Sequence, residues 1–324
     1  MSNDIFVVAE HLKENLYDVT FELLGKGREL ADTLGGSLVV VLMGSGVKDL
    51  ANQMGEADKV ICCEDANLVD FNPETYGKTL TEIVKSQNPK VVLVPNTSMG
   101  MDLAAGLSVD LDFPLLAYAS DLSVDGGNLT VTSQLYGGKM NVKSAVEGDR
   151  CVVSVIAGSF PVDAGKGEGA PTVEDFAAPA SLAESRVRFK QLIEPGAGDV
   201  DITQQDILVS VGRGIQNEDN LPLAQELADA LGGALASSRP IVDNKWLPKT
   251  RQVGKSGVKV KPKLYLTAGI SGAPEHIEGM KDAELIIAIN TDPNAPIFDY
   301  AHYGVTADLF DVVPALTEKL KNPN

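Results

Sequence analysis

Two glycine turns in the second half of the sequence have the residue types of a phosphate cradle. They are Val211-Gly212-Arg213-Gly214-Ile215 and Gly269-Ile270-Ser271-Gly272-Ala273. Each follows a short apolar run, Ile207–Val211 or Leu264–Thr267. Glycine admits close backbone approach, and a helix start beyond such a turn offers unpaired N–H groups and partial positive charge. Neither turn is a full dinucleotide fingerprint, since Asn217 stands where G-x-G-x-x-G needs its last glycine. Either turn alone reads as a plain feature of an α/β domain. Both together, at strand ends in one half of the chain, favour a bound nucleotide.

Further polar residues gather after the same strands. Ser237-Ser238-Arg239-Pro240 follows Ala234–Ala236, Asn290 and Asp292 follow Glu284–Ile289, and His276 comes four residues after Gly272. A lone histidine or arginine more often serves structure or the surface; placement after strand ends raises both here. The stretch Lys245 to Lys263 contains Lys245, Lys249, Arg251, Lys255, Lys259, Lys261 and Lys263 and no acid. It reads as a solvated loop or a protected sheet edge, or as a holder of an anionic ligand. Hydrolytic and metal chemistry find no support. Cys62 and Cys63 are adjacent and Cys151 is distant, while His11, His276 and His302 are dispersed. No metal-ligand spacing, nucleophile elbow or defensible acid/base pair is present. The cysteines read as buried free thiols of a reducing compartment.

The elements that must position these residues follow from hydrophobic patterning. In the first half, Ile5–Ala9, Leu38–Met43, Lys59–Cys62 and Val91–Val94 read as strands. Helices are expected from Val19 to Leu34, from about Pro73 to Ser86, and near Met99–Ser108. Short Val/Ile/Leu runs alternating with helices predict a parallel sheet buried on both faces. Asp125-Gly126-Gly127-Asn128 and Tyr136-Gly137-Gly138 read as hairpin turns, adding antiparallel strands at one sheet edge. Gly158 to Pro179 and Glu194 to Gly198 are breaker-rich, with Val187–Leu192 between them as a last strand. A second α/β unit then begins. Its strands are Ile207–Val211, Ala234–Ala236, Leu264–Thr267 and Glu284–Ile289, and its helices Leu221–Leu231 and Val312–Leu320. The division is 1–193, a linker 194–200, and 201–324.

The 324 residues include 27 basic and 45 acidic side chains, for a net charge of −18. That balance argues against gripping nucleic acid or a polybasic membrane association. No apolar run approaches the ~18–20 residues of a membrane span. Met1-Ser2-Asn3-Asp4 leads almost at once into an apolar run, without a basic n-region or an Arg-rich amphipathic stretch. The expectation is a cytoplasmic protein.

The run Leu264-Tyr265-Leu266-Thr267-Ala268-Gly269-Ile270-Ser271-Gly272-Ala273, then His276, Gly279-Met280 and Ile289-Asn290, resembles the signature of the electron transfer flavoprotein α-subunit family. So do Ser238-Arg239-Pro240, Trp246-Leu247-Pro248, Arg251-Gln252-Val253-Gly254, Asp292-Pro293, Ala295-Pro296-Ile297-Phe298, Tyr303-Gly304 and Ala307-Asp308-Leu309-Phe310. Val8-Ala9-Glu10-His11 adds to the likeness at the start. The match is dense over 206–320 and looser over 1–193.

The resemblance implies an N-terminal nucleotide α-hydrolase-like parallel-sheet domain that packs on a partner subunit. A smaller doubly wound α/β FAD-binding domain would follow. It implies a heterodimer whose β subunit carries AMP, or a second FAD in electron-bifurcating members. Electrons would come from dehydrogenases such as acyl-CoA dehydrogenase and pass to a quinone oxidoreductase or another acceptor. The chain would then be an electron carrier rather than a substrate-converting enzyme. By matching position, Arg213 and Ser238 would contact FAD and Arg239 would sit over the flavin. Val253, Gly254, Lys255 and Ser256 would wrap the ring, with the Ser256 hydroxyl reaching N5. Ser271, Gly272, Ala273, Pro274, Glu275 and His276 would bind the pyrophosphate side and the pyrimidine end. Asn290, Asp308 and Leu309 would hold the ADP part. Arg239 and His276 would together favour a negatively charged reduced flavin.

Four positions depart from the family's usual pattern. Pro274-Glu275 stands where an aliphatic residue and glutamine are common, Lys255 where glutamine is common, and Ser256 where threonine is usual. An ionised Glu275 would oppose Arg239, and Lys255 would offset it. Alternatives remain open at this point: an α subunit of an electron-bifurcating complex (NADH to ferredoxin plus a high-potential acceptor), a Rossmann-type oxidoreductase, or a non-redox adenine-nucleotide scaffold.

Overall fold

The computed structural model describes residues 2–136, 138–146, 148, 150–192 and 200–322. The chain forms two compact units, Met1–Gln191 and Leu192–Asn324. The expected linker 194–200 falls, apart from Val200, outside the described residues.

The first unit opens with β1 (Ile5–Val8), a small hairpin of β2 (His11–Leu12) and β3 (Asn15–Leu16), and α1 (Asp18–Leu34). It continues through β4 (Leu38–Gly44), β5 (Lys59–Glu64), α2 (Pro73–Gln87), β6 (Val91–Pro95) and α3 (Ser98–Leu111). The long strands β7 (Leu115–Asp125) and β8 (Asn128–Leu135) precede β9 (Met140–Ala145), β10 (Cys151–Val155) and β11 (Thr172–Asp175). Among the described residues, nine of these strands make one sheet in the order β11-β5-β4-β1-β6-β10-β7-β8-β9. It is parallel from β11 to β7 and antiparallel beyond.

Every residue of β1, β4, β6 and β10 is buried, because helices cover both faces. Val19, Leu23, Leu24 and Leu30 of α1 close one face, and Leu80, Ile83 and Val84 of α2 with Leu103 and Leu107 of α3 close the other. Each such side chain contributes about 1.5–3 kcal/mol on burial. Gly35 ends α1 in the left-handed conformation, and Asn72 and Thr97 cap α2 and α3 through their side chains. Gly126 and Gly127, with φ of 57° and 84°, make the β7–β8 turn that the sequence leads one to expect.

One expectation is corrected. Val187–Leu192 is irregular, and Val187, Phe189 and Leu192 are exposed. The last strand of the sheet is instead β11, inside the breaker-rich stretch, where Thr172 pairs with Lys59 of β5. Its Glu174 meets Lys59 Nζ at 3.1 Å. Backbone pairing and edge ion pairs hold this strand, with Val173 as its one apolar residue against the core.

The second unit contains β12 (Ile207–Val211), α4 (Leu221–Leu231), β13 (Ala234–Ser237), α5 (Arg239–Asp243) and β14 (Leu264–Ala268). After these come α6 (Pro274–Met280), β15 (Leu285–Asn290), β16 (Tyr303–Thr306) and α7 (Leu309–Lys321). The strands form a parallel sheet in the order β13-β12-β14-β15-β16. From β12 the chain goes first to one side and then to the other, which opens a crevice beyond the C-terminal ends of β12 and β14. Leu221, Leu227, Leu309 and Val313 of α4 and α7 cover one face, and Ile277 and Met280 of α6 with Val253 and Val260 cover the other.

Candidate functional site

A cavity of about 780 Å³ lies at that crevice. Every strand of the second sheet delivers residues to it from the loop after its C-terminal end. Arg213, Gly214 and Gln216 follow β12, and Ser238 and Arg239 follow β13. Gly269, Ile270, Ser271 and Ala273 follow β14, Thr291 and Asp292 follow β15, and Ala307, Asp308 and Leu309 follow β16. The segment Gln252–Ser256 forms a further wall, facing Glu275 and His276 of α6. Thus Arg213, Ser238, Arg239, Val253, Gly254, Lys255, Ser256, Ser271, Ala273, Glu275, His276, Asn290, Asp308 and Leu309 all line one cavity.

Gly272 and Pro274 do not line it. Gly272 has φ +87°, and a Cβ there would collide with the backbone of Ile297. Its glycine is required by packing against protein rather than by a cavity occupant. The same holds across the two glycine turns. A Cβ on Gly212 would meet Gly269 O, and one on Gly214 would meet Gly269 Cα at 2.6 Å. Gly214 N also donates to Gly269 O at 3.1 Å. The two turns nest on each other, so their glycines build the floor on which the cavity residues stand.

The basic stretch divides by role. Lys259 pairs with Asp282 at 3.0 Å and Lys263 with Asp206 at 2.8 Å, while Arg251 Nη1 donates to Leu235 O at 2.8 Å. These are structural ties. Lys255 faces the cavity.

Arg213 is exposed at the cavity, and among the described residues no carboxylate pairs with it. Arg239 Nε donates to Asp243 Oδ2 at 3.2 Å, one turn away on α5. The Ser256 hydroxyl accepts from Gln252 Nε2 at 2.9 Å, which leaves its own proton available to an occupant. Asn290 is spent within the protein: Nδ2 donates to Ile270 O at 2.8 Å, and Oδ1 accepts from Asp292 N at 2.9 Å. Asp308 Oδ1 accepts from Phe310 N at 3.0 Å and caps α7. The Glu275 side chain is exposed, and no cation pairs with it among the described residues.

His276 is buried, with Nδ1 3.1 Å from Val253 O and Nε2 3.1 Å from the Tyr265 hydroxyl. The carbonyl can only accept, so Nδ1 carries a proton. Burial pushes the pKa of His276 down to about 4, against the smaller upward pull of the Val253 bond. The ring is neutral at pH 7. Desolvation outweighs any benefit of ionisation in this dry position, so the positive charge of the pair Arg239 and His276 resides on Arg239.

Gln216, Asp243, Gln252 and Asp292 also line the cavity, and Tyr265 bonds His276 behind it; none of these is among the expected cofactor-binding residues. Asp243 was findable, because it stands four residues after Arg239 on a helix. Tyr265 was not, because an aromatic residue inside an apolar strand reads as core.

The chain matches two family descriptions. Residues 5–181 match the electron transfer flavoprotein domain, and residues 201–281 match the electron transfer flavoprotein FAD-binding domain. It is 33% identical to the electron transfer flavoprotein subunit alpha of Bacillus subtilis, over all of this chain and 99% of that one. It is 35% identical to the acryloyl-CoA reductase electron transfer subunit beta of Anaerotignum propionicum, over 98% of this chain and 95% of that one. It is 37% identical to protein FixB of Azotobacter vinelandii, over 98% of this chain and 91% of that one. Among the described residues no helix is long and apolar enough to cross a membrane. With an FAD-binding domain matched onto the unit that holds the cavity, and with full-length relatives at this level of identity, the chain belongs to the electron transfer flavoprotein α-subunit family.

Proposed function

We propose that the cavity of the second unit holds FAD and that the chain is the α subunit of a heterodimeric, cytoplasmic electron carrier. The observation that carries this reading is the convergence of all five strand ends on one cavity with a cation, Arg213, that no carboxylate pairs among the described residues. A volume of about 780 Å³ is within the range of cofactor sites. The donor set fits FAD. Arg213 and the Ser271 turn suit a pyrophosphate, and Lys255 stands with Ser256 on the wall proposed for the ring. Ile270, Ile289 and Leu309 offer apolar contact, and Ser256 offers a hydroxyl proton.

Bound FAD would supply the redox chemistry, taking up and giving back electrons. The protein's own part is to bind, orient and tune it. Arg239 places positive charge at the rim and favours the negatively charged reduced cofactor, and Asp243 tempers that charge. Ser238 is buried at the start of α5 and aligns the backbone that carries Arg239. Ser256 donates to a ring nitrogen, Lys255 offsets Glu275, and Asp308 with Leu309 fixes the start of α7 at the adenine-side wall. Asn290 and His276 hold the cavity walls through their bonds to Ile270 and Val253.

The partner is a β-type subunit carrying AMP, or a second FAD if the complex bifurcates electrons. The acryloyl-CoA reductase relative, whose name joins an electron transfer subunit to an acyl-CoA enzyme, supports a donor of the acyl-CoA dehydrogenase type. A quinone oxidoreductase or a comparable acceptor would receive the electrons. Three buried free cysteines, Cys62, Cys63 and Cys151, support the cytoplasmic placement.

The test is to purify the chain with its β-type partner. The complex should be yellow, and dithionite should bleach the flavin absorption. A colourless complex overturns the reading. Releasing the nucleotides then decides the partner's cargo: one FAD with AMP, or two FAD.

A further inference from the structure

Tyr265 lies outside the cavity, yet its hydroxyl ends one residue away from it. The side chain is fully buried, on the face of β14 that packs against α6. A buried phenol needs a partner for its hydroxyl, and this one finds His276 Nε2 at 3.1 Å. The direction of that bond is fixed from the far side of the ring. Val253 O occupies Nδ1 and can only accept, so Nε2 is the bare nitrogen and Tyr265 must donate. Ser210, beside the same phenol, makes no well-formed hydrogen bond of its own. The Tyr265 proton is therefore committed to the histidine.

Val253 opens the cavity wall Val253–Ser256. That wall sits on α6 without slack. Lys255 N donates to Glu275 O at 2.7 Å. Gly254 has φ +135°, with Glu275 O only 2.8 Å from where a Cβ would stand. Gly279 is pressed against Gly254 on the other side. Val253 N already donates to Ser237 O of β13 at 2.9 Å; its carbonyl is tied to β14 through His276, and the group that orients His276 is Tyr265.

We propose that Tyr265 is a positioning residue for the flavin wall: acting through His276, it fixes the Val253 carbonyl and the backbone that presents Lys255 and Ser256. This rests on the reading of the cavity as an FAD site. Replacing Tyr265 by Phe keeps the ring volume and removes only the donor. Nε2 is then left bare in a dry interior, and the latch on the wall weakens.

The experiment compares the wild-type heterodimer with Tyr265→Phe. One readout is the rate of FAD release, and the other is the pair of His276 side-chain ¹⁵N resonances. Release should accelerate about tenfold or more, as expected when a buried acceptor loses its donor. The Nε2 resonance should move toward that of an imidazole nitrogen without a hydrogen bond, while Nδ1 stays protonated. Loss of ring packing alone would not move Nε2. An unmoved resonance, or release at the wild-type rate, overturns the proposal. Adding Tyr265→Phe to His276→Gln should change FAD release no further; an undiminished effect in that background also overturns it. A wild-type complex that holds no flavin would refute the FAD reading, and the resonance measurement, which needs no flavin, would still decide the Tyr265–His276 bond.

Discussion

Arg239 and Asp243 hold opposite charges 3.2 Å apart on one turn of α5, both at the rim of the cavity. Both side chains are largely exposed, so the pair itself adds little to stability. Its effect falls on whatever occupies the cavity. Arg239→Ala should lower the potential of the bound flavin, since a positive charge that favours the anionic reduced form is removed. Asp243→Asn should raise it, since the counter-charge goes while a hydrogen-bond acceptor remains. Spectro-electrochemical titration of the heterodimer reads both signs. No shift in Arg239→Ala would remove that residue from the flavin's surroundings.

Glu275 is the second carboxylate to consider. It is exposed at the cavity without a cationic partner among the described residues. Glu275→Gln removes a negative charge and should raise the flavin potential. An unchanged potential would mean that the carboxylate points to solvent once the cofactor is bound.

His276 makes the second unit sensitive to acid. Its pKa in the fold is about 4, below the value of 6.5 that an unburied histidine has. Between these values the unfolded chain binds a proton that the folded chain refuses. The stabilisation is complete above pH 6.5 and is lost as pH falls toward 4, by roughly 3 kcal/mol over that window. The single tryptophan, Trp246, packs in this unit and reports its unfolding. Denaturant titrations followed by its fluorescence should show the stability gap between wild type and His276→Gln narrowing as pH drops from 7 to 4. Parallel pH profiles for the two proteins would contradict the assignment of a neutral buried ring.

Gly269 tests the nested turns. Its φ is +68°, and a Cβ there would stand 2.6 Å from Gly214 Cα. Gly269→Ala should cost the second unit about 1–3 kcal/mol from backbone strain alone, with more from the clash. The purified complex should also lose FAD, because both turns would separate. Gly232→Ala has a similar φ, +69°, but open space around it. It should lose stability and keep its flavin. Flavin-to-protein ratios after gel filtration distinguish the two.

The strands legible in the sequence are those buried on both faces. Ile207–Val211 and Leu264–Ala268 read as continuous apolar runs because helices cover both sides of their sheet. Thr172–Asp175 and Tyr303–Thr306 were not legible. Both are edge strands, largely exposed, and owe their place to backbone pairing with β5 and β15. The site divides in a similar way. Residues just after strand ends, such as Arg213 and Arg239, announce themselves because polar side chains break an apolar pattern. Gly272 was assigned to the cofactor because glycine's freedom looks the same whether protein or ligand fills the space. The protonation state of His276 is not legible, because no one-dimensional pattern shows that its two nitrogens are bonded to Val253 and Tyr265.

The five loops that line the cavity come from five strands scattered over a hundred residues of chain. A bound cofactor touching all of them would act as a cross-link between the sheet's own ends. Its removal should be felt as amide hydrogen exchange speeding up after every strand at once, rather than in one patch. Cofactor loss and loosening of the whole C-terminal edge of the sheet would then be a single cooperative event, and the concentration of free FAD would set how long the unit survives.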